Sequence, residues 1–428
     1  MPDLKTNLLL GAGVLALTQT LTLWNGGLVP DAAAAPILTA EGDEAGEGGE
    51  GGEGGGESGG VPASYALGST DPNKWSYDAT AAIDAYIAGA HGQYAEAAAA
   101  ARILQAEVDA FLEAPAQETL DAARAAWVAA RPAYLRTEVY RYYDGPIEEV
   151  EGGLNAWPMN EAFVDYTRDA PQGGLINDPA FEVSEAAIMA RNQATDEADV
   201  TSGWHAAEFL LWGQDLSAEG PGDRPFTDYE PGTPAADKRR AYLKATVDRI
   251  VADLDGLAAA WDIARADSYA ARFKALAPRE AVGRIVNGMA IMTGHEMRTE
   301  RMAVALDSGD QEDEQSCFSD TTKQDFVHDL EGVAAVYYGR YGADPAAGID
   351  TLMKTLNPER ATRLDTLFAE AKARLDALGD PWDKTLASPP GSPERAAGEA
   401  AVAALGALSG ELKASGVDLG VLVQVPGL

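Results

Sequence analysis

The chain is poor in three things that proteins commonly build sites from: it has a single cysteine, four histidines, and only 32 Lys+Arg against 68 Asp+Glu. With Cys317 alone, no intramolecular disulfide can form, so the fold rests on its core. No activating pattern surrounds Cys317 and the nearest histidine, His328, so this thiol reads as a small buried hydrophobe rather than a nucleophile. The formal charge of −36 excludes nucleic acid as a partner, because binding a phosphate backbone requires Lys and Arg to replace counterions. The same field attracts cations. A hydrophobic fraction of 46% is ordinary for a packed protein and rules out disorder along the whole chain.

Standard catalytic patterns are missing as well. His295-Glu296-Met297-Arg298-Thr299 begins like a zincin helix but lacks the second histidine, and His205-Ala206-Ala207-Glu208-Phe209 begins like the inverted motif and puts Phe209 where its histidine belongs. There is no P-loop and no GxSxG elbow. Asp307 to Phe318 (DSGDQEDEQSCF) lacks the glycine and glutamate spacing of an EF-hand.

The amino terminus reads as an export signal over residues 1–35: Lys5, then a largely apolar run from Leu8 to Leu23, then small residues at Ala32 to Ala35. Thr18, Gln19 and Thr20 interrupt that run, which falls short of a spanning helix. No cysteine lies near the cleavage region for lipid attachment, so a soluble periplasmic or secreted product is expected, with an uncleaved anchor as the alternative. Residues 36–74 contain EGDEAGEGGEGGEGGGESGG, a self-repelling spacer with almost nothing apolar to offset ordering entropy.

From Trp75 onward the pattern is helical, with large apolar residues three and four apart and few β-branched alternating runs. We expect an all-α protein of two helical bundles, residues 75–218 and 235–428, joined by the Gly/Pro-dense stretch 219–234 and enclosing a groove. Long helices are predicted over Tyr77–Glu113, Ala116–Tyr143 with a kink at Pro132, Ala235–Asp262, Tyr269–Leu306, Lys323–Tyr341, Pro358–Leu378 and Ser392–Ser415.

One short segment carries the chemistry. Gly203-Trp204-His205-Ala206-Ala207-Glu208-Phe209-Leu210-Leu211-Trp212-Gly213 reads as an apolar helix capped by Thr201 or Ser202 and by Gly213, with His205 and Glu208 on one face. A buried carboxylate needs a partner or a metal. An imidazole beside a carboxylate suits iron or zinc, and a His–Glu hydrogen bond that stabilises the core is the competing reading. Tyr134, Glu138 and Arg141 form a second polar face just before the Asp144-Gly145-Pro146 turn, which makes Glu138 a candidate third ligand. Glu296, Glu300 and Asp307 form a third, continued by the acids of the following loop, and Arg298 and Arg301 are near enough to turn it into a salt-bridge network.

The Gly203-x-His205-x-x-Glu208 element, together with Glu138-Val139-Tyr140-Arg141-Tyr142-Tyr143-Asp144-Gly145-Pro146-Ile147 and Glu300-Arg301-Met302 followed by DSGDQEDEQSCFSD, resembles the imelysin family, and within it the iron-regulated, cyanobacterial-type branch. The resemblance covers the chain from Trp75 on. It implies an exported protein with the GxHxxE element near the groove, His205 and Glu208 at the core of a metal site and Glu138 as companion; Tyr134, Arg141, Asp144, Glu300 and Arg301, from the matching segments and polar faces, are the candidates to surround them. It implies a divalent metal, iron before zinc or calcium, and two functional stories: a metallopeptidase, or a metal-binding role tied to a periplasmic or membrane component of iron uptake. The peptidase needs an open metal position, a polarised water and a base, of which the sequence supplies too few, and the binding role needs less. A third reading keeps the groove for a peptide or protein partner and makes the His–Glu pair structural. The branch usually has histidine where this chain has Gln315, and again near Lys323, which weakens a metal site built from that loop.

Overall fold

Alanine-rich sequence with large apolar residues three and four apart buries one stripe of each helix. In α1 (Thr80–Glu113) that stripe is Ile83, Tyr86, Ile87, Ala90, Tyr94, Ala97, Ala101, Leu104, Val108 and Phe111. Ile103 falls outside it and is 63% exposed, because Leu104 takes the inward position. The computed structural model describes residues 77–427 except 218, all of them within one compact unit, Glu57–Leu428. The expected export signal and the Gly/Glu-rich spacer lie outside the described residues. Among the described residues the regular structure is all helical, and no helix is long and apolar enough to cross a membrane.

α2 (Gln117–Leu135) passes through Pro132 but ends eight residues before the predicted stop at Tyr143. Thr137 ends it: both its backbone N–H and its Oγ1 donate to the carbonyl of Tyr134, at 2.7 and 2.6 Å. A 3-10 turn over Glu138–Tyr140 follows, and Tyr142 and Asp144 at φ 72° and 57° exclude any helical continuation.

α3 (Gly203–Trp212) is buried over its whole length. α4 (Pro234–Ala260) starts with Thr233 accepting from the Ala236 N–H and Pro234 in the first turn. The predicted Tyr269–Leu306 helix is divided. A short helix, Tyr269–Lys274, stops ahead of Pro278, where α5 (Pro278–Ile291) begins. α5 runs directly into a π-helix, Met292–Ala303, and then a final α turn, Val304–Ser308. α6 (Thr322–Tyr338), α7 (Pro358–Asp376) and α8 (Pro393–Leu419) complete the frame.

α1 packs along both α2 and α4, and α3 lies against α2 and α4. α8 packs along α5, the π-helix and α7. α6 touches both sets, reaching α2 on one side and α7 and the π-helix on the other. Gly332 makes that approach close: a Cβ there would stand 2.5 Å from the carbonyl oxygen of Arg136 at the end of α2. The 219–234 stretch is itself packed: the Arg224 N–H donates to the Trp212 carbonyl at 2.7 Å, and Tyr229 is fully buried.

Candidate functional site

α3 is placed by glycine. Gly203 has φ 87°, and a Cβ on it would fall 2.3 Å from the Leu154 carbonyl oxygen, so only glycine lets the helix start against that strip of backbone. Ser202 is the N-cap residue as expected, but its side chain does not cap, and Thr201 spends its hydroxyl on the Ile188 carbonyl. Gly213 closes the helix with φ 74°.

Inside this helix His205 and Glu208 are buried and face each other, Nδ1 to Oε2 at 2.9 Å. The other oxygen of Glu208 accepts from both the backbone N–H and the hydroxyl of Ser319, at 2.9 and 2.7 Å. His205 Nε2 meets Arg131 Nη2 at 3.4 Å. Because a guanidinium only donates, Nε2 must accept, which puts the imidazole proton on Nδ1 and directs it at Glu208. Burial, reinforced by Arg131 and Arg301, holds the His205 pKa well below the usual histidine range, so the ring stays neutral. Burial also pushes Glu208 up to about 8, against the hydrogen bonds from Ser319 and the charge of Arg131.

Arg131, which the sequence reading missed, is the hub. Its guanidinium lies 5.6 to 5.7 Å from the ring centroids of Trp127, Tyr134 and Trp204. Nη1 donates to Asn155 Oδ1 at 2.6 Å, and Nη2 also faces Asp325 Oδ2 at 3.5 Å. Asn155 in turn donates to Glu138 Oε1 at 2.9 Å, and the Tyr134 hydroxyl to the same oxygen at 3.1 Å. Glu138 therefore joins the His205–Glu208 pair through Asn155 and Arg131 rather than touching it, and its Oε2 pairs with Arg301 Nη2 at 2.5 Å.

Arg301 continues the chain of contacts to Asp329 at 2.7 Å and to Glu296 at 2.8 Å. The π-helix explains these partners. α periodicity groups Glu296 with Glu300, whereas π winding brings residues five apart together, so Glu296 meets Arg301 and His295 meets Glu300 at 3.6 Å. Burial pushes Glu296 up, but Arg301 and Arg141 outweigh it and hold it at about 2. Arg141 also pairs with Glu151 at 3.2 Å. Of the other residues predicted around the site, Glu300 is occupied with His295 away from the pair, and Asp144 is exposed. Cys317 is buried with its thiol pushed well up by burial, in keeping with an inert hydrophobe.

The network is electrostatically unbalanced. Among the described residues, Glu138, Glu151, Glu208, Glu296, Asp325 and Asp329 face the cations Arg131, Arg141 and Arg301, with His205 neutral among them. Asp325 Oδ1 and Asp329 Oδ1 are buried with no hydrogen-bond partner among the described residues. Burial raises Asp325 despite Arg131, and raises Asp329 well above the carboxylate range despite Arg301. Asp325 and Asp329 sit four apart on the buried face of α6, beside Phe326, Leu330 and Val333. That pattern of acids on an apolar stripe was the signal available in the sequence. His205, Glu208 and Glu138 are not a preassembled ligand set. Among the described residues, the three-residue group whose ligand atoms lie within 4.8 Å of one another is Asp215, Asp320 and Asp383.

Known proteins are similar to this chain in sequence and in fold. It is 26% identical over 323 residues to iron-regulated protein A of Synechococcus elongatus, an alignment covering 73% of this chain and 79% of that protein. A crystal structure of an iron-regulated protein A precursor from Parabacteroides distasonis superposes with a TM-score of 0.65 at 17% identity, covering 82% of this chain and 96% of that one. An imelysin-like protein from Psychrobacter arcticum gives 0.59 at 14% identity, covering 81% and 98%. The fold is theirs. The model of the imelysin family matches residues 90–412, and this chain belongs to the imelysin family.

Proposed function

We propose that this chain is an exported iron-binding protein that takes up an iron ion as cargo at the His205–Arg131–Asp325 junction and passes it to a periplasmic or membrane component of iron uptake. One observation carries the reading: a single cationic nitrogen, Arg131 Nη2, stands between His205 Nε2 and Asp325 Oδ2 at 3.4 and 3.5 Å, beside a buried Asp325 oxygen that nothing satisfies. Those are long contacts for a charged donor, whose hydrogen bonds usually run about 2.7–2.9 Å. The position holds positive charge loosely, and Arg131 reads as its placeholder. A metal ion would be held by the Nε2 lone pair and the Asp325 carboxylate, an N/O pair suited to iron. Glu208, with both oxygens engaged, orients the imidazole from behind, as carboxylates do for metal-binding histidines. Glu138 contributes through charge, from the far side of Asn155. The iron-related name of the Synechococcus relative supports the choice of metal.

The test is elemental analysis of untagged protein after anaerobic incubation with ferrous iron, with zinc and calcium as comparators and His205→Ala as control. Near-stoichiometric iron that disappears from a folded His205→Ala protein is expected. Iron retained by that variant, or none taken up by the parent, makes the His–Glu pair a purely structural one.

A further inference from the structure

Three chain segments bring carboxylates together some way along the loop from Glu208. Asp215 follows the Gly213 cap of α3, Asp320 precedes α6, and Asp383 opens a one-turn helix, and one ligand oxygen from each lies within 4.8 Å of the others. A cluster of acids alone would mean little, since surface acids crowd without ligands. Here a second observation points inward. Asp383 is 2% exposed and Glu314 is fully buried, and among the described residues none of their four carboxylate oxygens accepts a well-formed hydrogen bond from an N–H group or a hydroxyl. What Glu314 faces is the carboxyl of Asp383, with the Thr322 side chain and the Asp320 carboxylate near it. Among the described residues no Lys, Arg or His pairs with Asp215, Glu314, Asp320 or Asp383. Leaving buried carboxylates in mutual contact without a counter-charge is costly, and burial with mutual repulsion accordingly drives Asp320 up to about 8 and Glu314 well above its ordinary range.

We infer that Asp215, Asp320 and Asp383, backed by Glu314, form a binding site for a hard divalent cation of the calcium class. The donor set is all oxygen, which selects against the softer metals that imidazole and thiolate attract. The site is assembled from three separate segments, a flexible arrangement that suits calcium better than magnesium, which demands a near-ideal octahedron and retains several waters. Asp215 and Asp320 are only partly buried, and Asp215 lines a surface cleft of about 400 Å³ together with Trp212 and Arg168. Asp320 holds φ 59°, a left-handed conformation that asparagine also tolerates.

The site has a defined consequence. It anchors the Glu314–Thr322 loop, whose Ser319 supplies both donors to Glu208 and whose Ser316 hydroxyl bonds Asp325. A cation there fixes the loop that supports the His205 pair without touching that pair.

The experiment uses the full chain, stripped with chelator and titrated with calcium by calorimetry, with thermal unfolding recorded in parallel for the parent, Asp320→Asn, Asp383→Asn and His205→Ala. One calcium per chain is expected, with an unfolding temperature that rises when calcium reaches about 1 mM, the weak end of the range for extracellular modules. Each Asn variant should bind calcium roughly tenfold more weakly or worse, since ligand charge sets affinity. Without calcium, each should be at least as stable as the parent, because a repelling charge has gone. That reversal of sign separates a cation site from a merely structural cluster, in which both variants would shift stability equally with and without calcium. His205→Ala should keep the calcium response, so failure of the iron reading leaves this one intact. No calcium binding by the parent, or unchanged affinity in both Asn variants, overturns the inference, as does uptake of iron but not calcium at these acids.

Discussion

Replacing Glu208 by glutamine should change the shape of the pH–stability curve of the metal-free protein, and not only its height. Glu208 is raised from 4.5 to about 8 in the folded state. Between those values the folded chain holds a proton that the unfolded chain has released, so stability from this group is full below pH 4.5 and is lost as pH rises toward 8. At about 1.4 kcal/mol per pH unit, the whole span is worth about 3–5 kcal/mol. His205 works in the opposite sense. Its folded pKa is depressed well below 6.5, so the unfolded chain takes up a proton that the folded chain refuses, and stability from this group is lost as pH falls below 6.5. In the parent the two contributions offset each other below pH 6.5, and Glu208 acts alone above it, removing about 2 kcal/mol by pH 8. Glutamine carries no titrating proton. The Glu208→Gln variant should therefore gain on the parent steadily from pH 5 to 8, by about 3–4 kcal/mol, because His205 and every other titrating group are common to both proteins and drop out of the difference. Urea unfolding of chelator-treated parent and variant at pH 5, 6.5 and 8 measures this directly. Parallel curves would mean that Glu208 is not held protonated by burial, and the electrostatic account of the pair would fail.

Further predictions concern its surroundings. Gly203→Ala places a Cβ 2.3 Å from the Leu154 carbonyl oxygen on a backbone at φ 87°, so soluble yield or denaturation midpoint should collapse, and a variant as stable as the parent would refute the placement of α3. Arg131→Met keeps an apolar side chain among Trp127, Tyr134 and Trp204 but strands Asp325, and should cost about 3–5 kcal/mol in chelated protein while tightening iron binding in calorimetry. Iron affinity that weakens instead would contradict the placeholder role of Arg131. Glu296 is held at about 2 by Arg301 and Arg141 against burial, so its contribution is full above pH 4.5 and lost as pH falls toward 2. Glu296→Gln should flatten that acid limb by about 3 kcal/mol in denaturant titrations, and an unchanged limb would count against the pairing.

The helical class was legible because the apolar stripe of α1 follows helical spacing, and α4, α6, α7 and α8 lie close to where Pro, Thr, Ser and Gly punctuation puts their ends. What escaped had a tertiary cause. α2 stops at Leu135 because Thr137 bonds back onto Tyr134, a local competition that hydrophobic period does not encode. The π winding of 292–303 is invisible to a 3.6-residue template, and with it the pairing of Glu296 with Arg301. The GxHxxE element was legible because glycine, histidine and glutamate stand out on an apolar helix. Arg131, Asn155, Asp325 and Asp329 did not stand out, since an arginine or aspartate on a helix reads as a solvated face until the opposing helix is known.

A π-helix is an α-helix that has absorbed extra residues into each turn, and Met292–Ala303 is long for one. Rewinding a single turn to α geometry would rotate every side chain beyond it by about 100° per residue displaced. Arg301 lies near the end of this segment and, in this wide winding, reaches Glu138, Glu296 and Asp329. The winding is therefore part of the ion-pair network: a one-residue deletion between Met297 and Arg301 is expected to turn Arg301 away from these three acids and to lower the denaturation midpoint, and an unchanged midpoint would refute the link.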